Sequence, residues 1–159
     1  SIWLNISHPK SKYEINNFRM KKQIAYEIRK KINKLETYKN YFRNVFNHGK
    51  KINSIIKKLK NNNKIIYGLG ASTKGNVLLQ NSKIDRNLLS GIFDVNKEKF
   101  NKFTPHSKIK ILDERKLKKI KVDFILLLIW HFKGYVINKI KKYNKNIKII
   151  IPFPKIKII

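Results

Sequence analysis

A glycine-rich segment between two apolar stretches carries the residues best suited to chemistry. Gly68 and Gly70 let the backbone turn tightly and approach a ligand without a Cβ in the way. The side-chain donors that follow them are Ser72, Thr73, Lys74 and Asn76. At the start of a helix such donors favour an anion, because the helix also offers free N–H groups and its positive dipole end there. The segment is interpreted either as a diphosphate cradle or as a purely structural turn.

The order of residues in this segment departs from two familiar phosphate-binding patterns. It is not a GxxxxGK(S/T) loop, because glycine and lysine stand in the wrong order. In the GxGxxG pattern, Thr73 takes the place of the third glycine, and Gly75 follows two residues late. The pattern alone therefore does not identify the ligand.

An acidic residue ends the next apolar stretch. Asp94 lies 24 residues after Gly70, near the spacing of about 20 at which a carboxylate accepts hydrogen bonds from a ribose. The alternative is a local Asx turn into Asn96. Phe100 and Phe103, in the loop that follows, either stack on a base or anchor the loop. Both pairs of alternatives stay open at this point.

Trp130 and His131 follow a third apolar stretch. A tryptophan there could wall a pocket, and a histidine there could act as a general base. No Ser–His–Asp or Cys–His set accompanies His131, so it is interpreted as a pocket or surface residue and no catalytic residue is assigned. The chain has no cysteine, and its four histidines are far apart, so no metal site is predicted. These are His8, His48, His106 and His131.

The apolar pattern predicts that these residues lie at strand ends of an α/β fold. Short apolar runs predict strands over 64–67, 89–93, 109–112, 124–129 and 147–151. Helices are predicted over 76–80, 113–119 (with Asp113 as N-cap) and 135–143. Strands alternating with helices indicate a Rossmann-like parallel sheet with flanking helices, which binds ligands at the carboxyl ends of its strands.

The first part of the chain follows a different pattern. Residues 1–6 are predicted as a strand and 10–17 as a polar loop. Over 18–60 apolar residues recur at three- and four-residue steps, which predicts a long N-terminal helix, kinked or weakened at 47–49. This helix is interpreted as a linker that packs its apolar stripe on a neighbour. Pro152 and Pro154 stop the last predicted strand and leave a short tail over 155–159.

The net charge of +29 over 159 residues is the most conspicuous property of the composition. Five of the 38 basic residues are arginine, the residue favoured for base and phosphate recognition. The lysines are spread over the whole chain, which favours a solvated basic surface over a specific nucleic-acid site. The longest apolar run, Phe124–Trp130, is too short to span a bilayer, and no signal peptide is visible. A cytoplasmic location without membrane contact is predicted.

Four stretches, in this order, resemble the C-terminal domain of S-adenosylmethionine-dependent sugar C-methyltransferases. Their order and spacing agree over residues 61–159. Tyr67–Asn76 resembles that family's "YGAxAKGN", and Val122–Trp130 its "PDYVLLLPW". Asp94–Asn96 with Lys99 and Phe103–Pro105 resembles "DxN…K…YTP", and Ile149–Pro154 resembles "IVPIP".

The resemblance implies a role for these residues in binding a nucleotide-diphosphate sugar. Gly68 to Asn76 would contact the diphosphate, and Asp94, Asn96, Lys99 and Phe103 would lie near the nucleotide. Thr104 and Trp130 stand within the resembling stretches. The candidate substrate-binding residues are therefore Gly68, Gly70, Ser72, Thr73, Lys74, Gly75, Asn76, Asp94, Asn96, Lys99, Phe103, Thr104 and Trp130.

The same resemblance implies a division of labour in a longer protein. Residues 1–17 would end an upstream methyltransferase core, 18–60 would form a helical linker, and 61–159 would form the substrate-binding domain. S-adenosylmethionine, the acid/base residues and a zinc region would belong to upstream domains, so this segment would hold no cofactor. Its partners would be the nucleotide-diphosphate sugar and the upstream methyltransferase domain.

Several positions depart from the resembling motifs. Val95 stands for an Arg, Lys97 for a Pro, and His131 for an Asn. Two other functions are therefore kept as alternatives. One is an NAD- or mononucleotide-binding Rossmann module of another enzyme, carried by Gly68, Gly70 and Asp94. The other is a polyanion- or nucleic-acid-binding domain, motivated by the charge.

Overall fold

The computed structural model describes residues 6–13 and 17–159. The strand predicted over residues 1–6 lies outside this range except for Ile6. The chain divides into two compact units, Ser1–Phe42 and Arg43–Ile159. Among the described residues, no helix combines the length and the apolar character that crossing a membrane requires.

The N-terminal helical region is two helices, α1 (Asn17–Arg29) and α2 (Leu35–Asn61). The predicted long N-terminal helix is present as α2, and the helical pattern is interrupted at residues 30–34, where Lys31 adopts a left-handed φ of 53°. The hydroxyl of Thr37 donates to the Lys31 carbonyl over 2.7 Å, which satisfies a backbone group at the interruption. α2 runs unbroken through the kink predicted at residues 47–49. Gly49 lies so close to Asn81 that a Cβ there would be 2.8 Å from the Asn81 carbonyl oxygen.

A six-stranded sheet forms the centre of the second unit. In sequence order its strands are β1 (Ile66–Leu69), β2 (Ile92–Asp94), β3 (Ile111–Asp113), β4 (Phe124–Leu127), β5 (Lys148–Ile151) and β6 (Lys157–Ile158). Their order in the sheet is β3-β2-β1-β4-β5-β6. β1 to β5 are parallel. The predicted Rossmann-like α/β fold is thereby confirmed, and the strand order reverses between β1 and β4.

Helices cover both faces of this sheet. On one face, Ile52 and Ile56 of α2 join a cluster with Leu79 of α3 (Thr73–Asn81) and with strand residues such as Ile66. On the other, strand residues such as Ile125 pack with α4 (Lys133–Tyr143). Burial on both faces explains why the central strands are continuous apolar runs rather than alternating ones.

The short C-terminal tail, for which the sequence predicts no strand, is part of the sheet. β6 pairs antiparallel with β5. The backbone amide of Ile149 donates to the Ile159 carbonyl over 2.8 Å, and the Ile159 amide donates back over 3.1 Å. Pro152 and Pro154 end β5 without ending the sheet, because an antiparallel edge strand can follow after a short turn.

Asn53 of α2 holds the end of α3. Its amide nitrogen donates to the carbonyl oxygens of Ser82 and Lys83, over 2.7 and 3.1 Å, where that helix has lost its own backbone partners. We expect Asn53→Ala to lower the free energy of unfolding by about 1 to 2 kcal/mol, because both carbonyls lose a hydrogen-bond donor. Urea denaturation measures this, with the exposed neighbour variant Ser54→Ala as the matched control. Equal stability of the two variants would contradict the role given to Asn53.

Candidate functional site

The turn between β1 and α3 is shaped by one glycine and one serine. Gly70 has a φ of +88°, and its amide donates to the Phe93 carbonyl over 2.7 Å. Ser72 caps α3, since its Oγ accepts from the Gly75 amide over 3.0 Å. The same hydroxyl lies 3.3 Å from the Leu128 carbonyl, to which it donates. The turn is therefore fixed against both neighbouring strands, β2 and β4.

Asp94, at the end of β2, holds this turn from the other side. Its side chain is almost fully buried. Oδ2 accepts a hydrogen bond from the Ala71 amide over 2.7 Å, and Oδ1 accepts one from the Asn96 amide over 2.8 Å. The Asx turn considered as an alternative is thus present, and the carboxylate also ties the β2 end to the glycine turn.

Lys99 completes this contact. Its Nζ donates to the Ala71 carbonyl over 3.0 Å and lies 3.5 Å from Oδ2 of Asp94. It comes from a single 3-10 turn, Lys97–Lys99, which Asn96 caps through its side-chain oxygen. Both backbone groups of Ala71 are therefore bound by the β2 loop, and the carboxylate charge has a cation beside it.

Aromatic rings follow β4 and β5 at the same edge. The half-buried ring of Trp130 lies 4.8 Å from that of Phe153, between centroids. Phe153 in turn stacks on the His48 ring at 4.5 Å. His48 Nε2 is 2.8 Å from the Pro152 carbonyl oxygen, so this nitrogen carries the proton and donates.

We use the name switch-point edge for the carboxyl ends of β1 and β4 and the residues that follow them. After β1 it extends to Asn76, and after β4 it extends to His131.

Lys74 and His131 meet across the switch-point edge. Lys74 lies in the first turn of α3, and His131 lies in the 3-10 turn Trp130–Phe132 after β4. The distance between Lys74 Nζ and His131 Nε2 is 3.5 Å, and both side chains are exposed. The contact brings together two residues 57 positions apart in sequence.

The candidate residues from the resembling motifs do not all come together. The structure brings Gly68, Gly70, Ser72, Thr73, Lys74, Gly75, Asn76, Asp94, Asn96, Lys99 and Trp130 to the carboxyl ends of β1, β2 and β4. Phe103 and Thr104 instead flank the start of β3, where Phe103 pairs with Lys110. Thr104 is buried, and its Oγ1 bonds to the Ser107 hydroxyl and the Ile109 amide, over 2.7 and 2.9 Å.

Two ion pairs at the end of β3 form a charged cluster that is not among the features predicted from the sequence. Arg115 donates to both carboxylate oxygens of Asp113, and these hydrogen bonds lower the pKa of Asp113. Glu114 lies 2.5 Å from Lys139, and its hydrogen bond raises the pKa of Lys139. Together they line a shallow pocket of about 280 Å³. The cap formed by Asp113 is predictable from the sequence. No local sequence pattern indicates that Lys139 of α4 pairs with Glu114.

The lowered pKa of Asp113 has a definite consequence for stability. A carboxyl whose folded pKa is below its unfolded value stabilises the fold at neutral pH, and this contribution is lost as the pH falls through the folded pKa. The raised pKa of Lys139 has the opposite effect: the stability that Lys139 contributes is lost as the pH rises through its folded pKa.

The comparison with protein families decides what kind of domain this is. The profile of the C-methyltransferase C-terminal domain matches residues 1–154 of the 159. The chain belongs to this family. The resemblance read from the four motifs is thereby confirmed, and the C-methyltransferase C-terminal domain places this chain in the context of a methyltransferase. No curated protein matches it. Among the described residues, no cluster of three or more His, Cys, Asp or Glu side chains could hold a metal ion.

Proposed function

We propose that this chain is the substrate-binding C-terminal part of an S-adenosylmethionine-dependent C-methyltransferase, and that its substrate is a nucleotide-diphosphate sugar. The family membership supports the enzyme context. The observation that carries the substrate class is the β1–α3 turn at the switch point of a parallel sheet, where such folds bind ligands. In this proposal the diphosphate lies against Gly68 to Asn76.

The donors of the turn suit a diphosphate. The amides of Ala71 and Gly75 are already used, by Asp94 and by Ser72. Thr73 and Lys74 are the first two residues of α3, so their amides have no carbonyl partner within the helix. Both side chains are exposed and add a hydroxyl and an ammonium group. Two amides, a hydroxyl and a charge therefore converge at one helix start.

The geometry of Asp94 favours this proposal over an NAD-binding module. In dinucleotide-binding folds, the acid at the end of the second strand accepts hydrogen bonds from the ribose. Here each oxygen of Asp94 accepts from a backbone amide, and Lys99 lies beside it. Asp94 therefore serves the turn, and Thr73 occupies the place of the third glycine that such folds use for close packing.

The rest of the reaction belongs to the longer protein in this proposal. Residues 1–17 end an upstream methyltransferase core, 18–60 form the linker, and 61–159 hold the substrate. S-adenosylmethionine, which supplies the methyl group, is bound upstream, and so are the residues that move protons. The chain described here binds and orients the sugar nucleotide and transfers nothing by itself.

An amide-resolved NMR titration with TDP-glucose at about 0.15 M salt tests this proposal. We expect shifts confined to Gly68–Asn76 and Asp94–Lys99, with NAD competing weakly. Lys74→Met should weaken binding about tenfold, because a charged hydrogen bond to phosphate is lost. Lys57→Met, on the exposed side of α2, removes the same charge and should leave the affinity unchanged.

Two results would contradict the proposal. Shifts spread over many lysines, and lost on adding salt, would indicate that the +29 charge binds polyanions without a site. Tighter binding of NAD than of TDP-glucose would indicate a nicotinamide-binding module instead.

A further inference from the structure

The contact between Lys74 and His131 joins a hydrogen-bond donor to a group that can accept. A lysine ammonium group has three donors and no acceptor. In a hydrogen bond with Lys74 Nζ, which lies 3.5 Å away, His131 Nε2 can therefore only be the acceptor. An imidazole nitrogen that accepts a hydrogen bond is also the atom that can take up a proton.

No carboxylate balances these two basic side chains. The ion pairs of the described residues are Asp94–Lys99, Asp113–Arg115 and Glu114–Lys139, and neither Lys74 nor His131 takes part in them. The groups that face His131 are Lys74 from α3 and the ring of Trp130, whose centroid is 4.8 Å away. Lys133 follows two residues along the chain, and His48 is bound to Pro152 and stacked on Phe153.

We propose that Lys74 and His131 form a proton-linked clamp for the diphosphate, one arm on each side of the switch-point edge. This inference rests on the proposed function, since it assumes that a diphosphate binds at the β1–α3 turn. When the anion arrives, the Lys74 ammonium turns from His131 Nε2 to a phosphate oxygen. Nε2 takes one proton from water and donates it in a hydrogen bond to a second phosphate oxygen.

The clamp predicts that binding depends on pH. The complex contains one more proton than the free protein, so affinity falls as the pH rises through the range in which histidine titrates. We expect affinity to be about tenfold higher at about pH 5 than at about pH 8, the size of one added charged hydrogen bond. The hydrogen bond from the Lys74 arm does not depend on the proton taken up by the imidazole, so some binding persists at the upper end.

Isothermal titration calorimetry with TDP-glucose over this pH range tests the clamp. The two phosphates of this ligand are both esterified, so its charge is constant across the range and any pH dependence belongs to the protein. Wild type should take up a proton on binding, seen as heat that varies with the ionisation enthalpy of the buffer. His131→Asn keeps an amide donor but does not titrate, so its affinity should be nearly independent of pH.

His106→Asn is the matched control. His106 is exposed and has a φ of 61°, a conformation that asparagine tolerates, and it lies in the turn before Ile109, away from the clamp. This variant should keep the full pH dependence of wild type. The imidazole signals of His131 in wild type give a second readout that needs no variant, since they should move toward those of imidazolium when TDP-glucose is added.

The outcomes separate the clamp from the proposed function. Binding of TDP-glucose at the β1–α3 turn with no pH dependence, or with the same dependence in His131→Asn, overturns the clamp and leaves the proposed function standing. Absence of any binding by wild type overturns both. Binding that weakens about tenfold with rising pH in wild type and His106→Asn, and stays flat in His131→Asn, supports both.

Discussion

Replacing Gly70 by alanine is expected to lower the free energy of unfolding by about 3 kcal/mol. At a φ of +88° an L-residue is strained by about 1 kcal/mol or more. The new Cβ would also run into Cγ2 of Ile129 and lie 2.8 Å from its Cγ1. Forced overlap in a packed region costs about 1 to 3 kcal/mol. Both costs fall on the segment that we propose binds the diphosphate, so affinity for TDP-glucose should fall together with stability.

Gly134→Ala is the control for this substitution. Gly134 lies in α4, no atom comes within 4 Å of a Cβ built there, and its φ is not positive. Alanine should therefore raise stability by up to about 1 kcal/mol through helix propensity. Urea denaturation of both variants measures the difference. A Gly70→Ala protein within about 0.5 kcal/mol of wild type would mean that Ile129 moves aside freely and that the turn is not constrained.

The strands of this fold were predictable because helices cover both faces of the sheet, so that the central strands are continuous apolar runs in the sequence. Phe124–Leu127 and Lys148–Ile151 fall within predicted apolar runs, since nearly every side chain in them is buried. The interruption between α1 and α2 was not predictable in the same way. Residues 30–34 contain no glycine or proline, and the left-handed residue there is Lys31, a type that seldom marks a break.

The candidate site was predictable only in part, because strand ends are a local property and strand order is not. The positions of Gly70, Asp94 and Trp130 at carboxyl ends follow from the strand pattern. The contact between Lys74 and His131 requires that β4 lie beside β1, which no local pattern states. The sequence likewise leaves open whether the Asp94 oxygens face a ligand or the backbone, because both uses need the same residue at the same spacing.

The other large effect is expected from Asp94→Ala, at about 3 to 4 kcal/mol. Asp94 is 7% exposed and accepts from the amides of Ala71 and Asn96. Alanine would leave the Ala71 amide buried without an acceptor and Lys99 without its carboxylate. An unsatisfied buried donor costs about 1 to 3 kcal/mol, and hydrogen bonds to a charged group are the stronger kind. Because Ala71 follows Gly70 directly, the β1–α3 turn should lose its order as well.

Asp113→Ala provides the comparison, since Asp113 is the register partner of Asp94 on the neighbouring strand β3. It too ends a strand and caps the next turn, but its partner Arg115 is largely exposed, so water replaces the lost contact. We expect a much smaller loss of stability and unchanged amide shifts at Gly68–Asn76 on adding TDP-glucose. Urea denaturation and the NMR titration of both variants give the two readouts. Equal losses of stability in the two variants would mean that Asp94 is an ordinary turn residue. If only Asp94→Ala loses stability and the amide shifts at Gly68–Asn76, then the end of β2 holds the diphosphate turn in its binding conformation.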